Sequence, residues 1–170
     1  MLSLFAFWAV PFIVYAVPLY VLLAEYKLLN NLVVLAFIYA AMNVPFGVYL
    51  LHSYYQRGIP SDVLEAAAVD GASTLRTFLS VVLPLGRPAM STLAALGFVW
   101  CWGDLLAAAF VMQDPEKYTL TLAASTLVTR NDASVQPSAA AALISLAPVL
   151  IVFLFAQRGI SRGFSAGTGK

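Results

Sequence analysis

Three side chains could do chemistry within apolar stretches of this chain: Asp104, His52 and Cys101. Asp104 is the only acid inside such a stretch, and an ionisable group there is a functional candidate by default. Gly103-Asp104 raises the thought of an intramembrane aspartyl protease. That chemistry shares one proton between two carboxylates, and no second acid lies in any apolar stretch. His52 is the only histidine, and no nucleophile stands at a known spacing from it. One cysteine excludes an internal disulfide and a cysteine-based metal site. Asp104 can still accept a hydrogen bond from a hydroxyl-bearing ligand, with Trp100 or Trp102 stacking on it. The plainer reading, which we rank first, is a polar contact within a helix bundle or with a neighbouring subunit. His52, beside Tyr54 and Tyr55, reads as an interfacial anchor. Cys101 reads as packing.

The elements that position these residues follow from composition. Of 170 residues, 62% are hydrophobic and 10% charged. A soluble domain has roughly 45–50% apolar and about 25% charged residues. The mean hydropathy is +0.88. Disorder would require low hydrophobicity and high charge. The net charge of +1 offers no basic stripe for nucleic acid. An integral membrane protein remains.

A membrane-crossing helix takes about 20 apolar residues at about 1.5 Å each. Four stretches qualify: 3–24, 31–54, 88–112 and 137–157. They lack the alternation of barrel strands, so we expect four transmembrane helices in one domain covering 1–170. Pro11, Pro18, Pro45 and Pro148 predict kinks. Residues 57–87 and the tail carry six of the nine basic residues: Arg57, Arg76, Arg87, Arg158, Arg162 and Lys170. The positive-inside rule places both, and the N-terminus, in the cytoplasm. Asn30, Asn31 and Asn43 are expected in turns or polar interhelical contacts.

The 57–87 loop is too apolar and too ordered for a linker. Pro60 suits a helix start, Ser61 is a candidate cap, and Asp62 sits at the positive end of the dipole. Leu64, Glu65 and Ala66 to Ala68 favour helix, and Gly71 stands where a left-handed C-terminal cap belongs. Ser73 can cap a second helix with an apolar face from Leu75, Phe78, Leu79 and Val82, which Pro84 and Pro88 would end. Ala66 and Ala67 leave one side of the first helix flat enough to enter a groove on another protein.

Glu65-Ala66-Ala67, three residues, Gly71, nine residues, then Val81-Val82-Leu83-Pro84 resembles the signature loop of permease subunits of binding-protein-dependent ABC importers. Only Val81 departs from that pattern, where isoleucine is usual. Trp102-Gly103-Asp104-Leu105-Leu106, Tyr118-Thr119-Leu120 and the tail from Gln157 to Gly167 resemble segments of the maltose-type carbohydrate branch.

The resemblance implies a permease that moves a sugar or related polyol by alternating access. Its implied partners are cytoplasmic ATP-binding subunits, a second permease subunit of a different chain, an extracytoplasmic sugar-binding protein and membrane lipid, with no nucleic acid. It places the chain in a bacterial or archaeal cell membrane as a multi-pass protein. Glu65, Ala66, Ala67, Asp70, Gly71, Leu83 and Pro84 become the ATPase-coupling loop. Asp104, Trp100 and Trp102 become candidates for the substrate pathway. No G-x-x-x-x-G-K-[ST] loop is present, so the fuel is expected from a partner, with no cofactor, metal or catalytic residue in this chain. Family members have six helices, and the four here correspond to the last four. A fragment or a mis-started frame is the reading we favour. The alternative is an inactive remnant or scaffold that docks an ATPase without transporting; DNA upstream of Met1 and neighbouring genes would discriminate.

Overall fold

In the computed structural model, residues 9–129 and 135–167 are described. Arg130 and Lys170, used above in the charge count, lie outside them, as does the start of the first expected span. All regular structure among the described residues is helical. α1 is Phe12–Glu25, α2 Leu32–Gly58, α3 Ser61–Val69, α4 Thr74–Leu85, α5 Arg87–Gly103, α6 Leu106–Val111, α7 Leu120–Thr129 and α8 Val135–Gly167.

Exposure fits a lipid-facing chain. Ile13, Val14, Val17 and Val21 of α1 are each more than half exposed, as are Leu154 and Phe155 of α8. Such surfaces are unfavourable in water, and helices satisfy their own backbone groups in hydrocarbon. α2 and Gln136–Ala156 of α8 are long and apolar enough to cross a membrane. α4 and α5 reach that length together, bent by 64°. The described part of the first expected span, α1, has 14 residues. The expected 88–112 span is laid down as two helices, α5 and α6, because Asp104 interrupts the chain between them. Pro18, Pro45 and Pro148 lie inside α1, α2 and α8, whereas Pro11 takes the extended position before α1.

The chain divides into two compact units: Met1–Pro45 with Gly97–Val152, and Phe46–Leu96 with Phe153–Lys170. The core of the first joins Leu23, Leu35, Ala107, Ala108, Val111, Met112 and Leu122. There α1 packs on α6, with Phe12 meeting Phe110 edge-to-face at 5.9 Å. α1 ends in a turn whose Lys27 and Asn30 both have positive φ, 54° and 58°. Asn31 then caps α2 by accepting from the Val33 and Val34 amides.

The second unit holds the signature loop. α3 starts one residue later than a Ser61 cap would require. Pro60 occupies the cap position with extended backbone, and Ser61 instead donates to Asp62 at 3.2 Å. Ser73 does cap the next helix, accepting from the Arg76 amide. α4 does not stop at Pro84. It widens into a π turn over Phe78–Val82 and continues to Leu85. The π turn breaks the expected single face: Leu75, Phe78 and Leu79 are exposed, while Val82 is half-buried. α2 and α5 approach closely in this unit, where a Cβ on Gly47 would stand 3.2 Å from Leu93.

Candidate functional site: the coupling loop and a membrane cavity

Two places carry the candidate residues. In the second unit, α3 is a nine-residue helix of about 14 Å. Its end is closed by paired backbone bonds: the Ala72 amide donates to the Ala67 carbonyl and the Gly71 amide to the Ala68 carbonyl, both at 3.0 Å. This is the Schellman arrangement. It needs a left-handed residue, and Gly71 supplies φ +71° with open space where a Cβ would be. Asp70, just before it, donates its amide to the Ala66 carbonyl. The two signature alanines divide their roles. Ala67 is buried within this unit, while Glu65, Ala66 and Asp70 are exposed. Val69 is 87% exposed, an apolar side chain at the helix end with no cover. Leu83 and Pro84 are half-buried in the last turn of α4.

The second place is a cavity of about 760 Å³ in the first unit, lined by Tyr15, Tyr39, Asn43, Trp100, Cys101 and Asp104 among others. Small-molecule sites typically run from about 300 to 1,000 Å³. Tyr39 donates its hydroxyl to Asp104 Oδ2 at 2.9 Å, and the Ala108 amide donates to the same oxygen at 3.0 Å. Asp104 thus caps α6 and ties α2 to the break before α6. Aspartate competes well for local amides, which explains why the apolar stretch breaks here. Asn43 donates to the Tyr39 carbonyl and to Cys101 Sγ. Its Oδ1 is shielded from solvent and has no hydrogen-bond partner. A buried acceptor left unpaired costs about 1–3 kcal/mol, and a ligand hydroxyl would relieve that cost.

Trp100 and Asp104 are therefore brought to one cavity. Trp102 is not part of its lining. Its indole donates to the Ser145 carbonyl at 2.8 Å and stacks on Phe98, and its own carbonyl accepts from Thr121. Tyr39 and Asn43 were missed from sequence as cavity residues. They stand four apart on α2, so one face of an apolar helix carries both, and that spacing was the available signal. His52 is exposed on α2. Among the described residues, no group of three metal-ligating side chains occurs.

The chain's residues 1–165 match the family model of the binding-protein-dependent transport system inner membrane component. The chain belongs to that family. Relatives of this inner membrane component include a putative ABC transporter permease protein, ORF1, of Streptomyces antibioticus, 32% identical over 95% of this chain and 70% of its own length. The melibiose/raffinose/stachyose import permease protein MelC of Bacillus subtilis is 33% identical over 91% of this chain and 56% of its own length. The diacetylchitobiose uptake system permease protein NgcG of Streptomyces coelicolor is 34% identical over 89% and 51%. The chain thus spans between about half and two thirds of the length of these relatives. Family membership makes it a multi-pass membrane component of a transport system, in a class of permease subunits rather than enzymes.

Proposed function

We propose that this inner membrane component is a permease subunit of an ATP-driven importer for a sugar or related polyol. The observation that carries the reading is α3: short, exposed on its Ala66 side, and ended by Gly71 at the place the signature spacing assigns. In this reading α3, with Glu65, Ala66, Ala67, Asp70 and Gly71, docks in a groove of a cytoplasmic ATPase subunit, and Leu83 and Pro84 close the loop behind it. The loop and the C-terminus face the cytoplasm. Nucleotide-driven closure of the ATPase pair carries α3 with it, and the spanning helices expose their cavity alternately to either side. A second permease subunit completes the pathway, and an extracytoplasmic binding protein delivers the substrate.

The substrate class rests on the printed names of the relatives and on the chemistry of the cavity. Tyr15, Tyr39 and Trp100 offer aromatic surface, and Asn43 and Asp104 offer acceptors, a set suited to hydroxyl-rich neutral molecules. Cysteines placed at Ala66 and along the ATPase groove test the docking. A crosslink at defined groove positions is the expected result, and silence across a full scan would sink it. Radiolabelled sugar uptake into vesicles holding the assembled system tests the transport.

A further inference from the structure

The turn between α4 and α5 has no role in the reading above. It is built differently from the Gly71 turn. Gly86 has φ −79° and ψ −7°, a right-handed conformation open to any residue. Its backbone does not call for glycine. Space does. Gly86 is buried, and a Cβ there would stand 2.6 Å from Tyr55 Cζ and 2.7 Å from Cε1, with the Tyr55 hydroxyl nearer still. Neighbouring Tyr54 donates its hydroxyl to the Leu85 carbonyl at 3.2 Å. The two rings meet edge-to-face at 6.0 Å. Pro88 follows and brings no N–H to the first turn of α5. The last turns of α2 thus hold the corner where α4 meets α5 at 64°.

We propose that Tyr55, seated in the space left by Gly86, is a positioning residue that fixes this corner and transmits movement of the α3–α4 loop into α5. The inference rests on the permease reading. A corner with play in it would absorb the displacement of α3. A corner wedged by a rigid ring on one side and tethered by Tyr54 on the other passes it on. Tyr55 acts through α4 and α5 and touches no substrate.

The test uses the assembled transporter in proteoliposomes, reading sugar uptake and ATP hydrolysis together. Uptake by the unaltered protein comes first: if it moves no sugar, the permease reading falls and this inference with it. Given transport, Gly86→Ala should lower sugar moved per ATP by about tenfold, because overpacking forces the ring out. Tyr55→Leu added to Gly86→Ala should restore most of the ratio. A Gly86→Ala protein with an unchanged ratio overturns the proposal. So does a parallel fall in uptake and hydrolysis that Tyr55→Leu does not rescue, since simple misfolding gives that pattern. Should Gly86→Ala not reach the membrane, Tyr55→Leu alone decides: a lowered ratio supports the wedge, and an unchanged one removes it.

Discussion

Two helix ends in this molecule make the same hydrogen bonds with different residues. After α3, the Ala72 and Gly71 amides bond back to Ala67 and Ala68. After α1, the Leu28 and Lys27 amides bond back to Leu23 and Ala24 in the same pattern. Both need a left-handed residue, yet one is glycine and the other Lys27 at φ 54°. For a residue with a Cβ that conformation costs about 1–2 kcal/mol. The surroundings explain the difference. Beyond Lys27, the Asn30 amide donates to the Val111 carbonyl, and its side chain accepts from the Gln113 and Asp114 amides at 2.6 and 2.8 Å. Leu23 and neighbouring Leu29 join the core. That turn is held from outside. The Gly71 turn is exposed and held only by its own backbone. A left-handed turn can thus be secured by residue type or by tertiary contact, and the part of the chain proposed to move relies on residue type.

This contrast can be broken most forcefully at Gly71. Gly71→Val should cut coupled uptake on the order of tenfold or more, the equivalent of at least about 1.4 kcal/mol, with the protein still in the membrane. Uptake at the unaltered level in vesicles would mean the turn is not what glycine is for. A smaller effect is expected from Asn30→Ala. It leaves two amides without their acceptor, at about 1–3 kcal/mol, and should lower the melting temperature of the purified complex. An unmoved Tm would show that the Lys27 turn needs no external support. Gly71→Asn should fall between glycine and valine, within severalfold of unaltered uptake, because asparagine visits the left-handed region with little strain. Equal damage from asparagine and valine would point to side-chain size at the docking surface instead. The mildest change is Lys27→Gly, expected to be neutral or to raise stability by up to about 1 kcal/mol in thermal melts. A clear loss there would assign the Lys27 side chain a role of its own.

Much of the signature loop was legible because its cues are local. Gly71 and Ser73 take the cap positions that their residue types favour. Ser61 was misplaced by one residue, since Pro60 has the extended backbone of a cap and Ser61 found Asp62 instead. The membrane class followed from composition, which any lipid-facing surface must show. What escaped was tertiary or register-dependent. The Asp104 break depends on an amide four residues later and a tyrosine from α2. The cavity set of Tyr15, Tyr39 and Asn43 comes from elements distant in sequence. Trp102 was grouped with Trp100 by proximity in the chain, and helical rotation sends its indole to Ser145. The wedge of Tyr55 on Gly86 leaves no periodic trace, because glycine there is required by a neighbour's volume and not by its own backbone.

The π turn at Phe78–Val82 carries a further consequence, in the tolerance of the loop to insertion and deletion. A π turn closes on the fifth residue instead of the fourth, so it holds one residue more than a regular turn. Each residue rotates a helix by about 100°. Removing one residue here would restore ordinary winding and swing everything after it, Gly86 included, by that amount. The loop can accept many changes of side chain, but its length between Ser73 and Gly86 is set to the single residue.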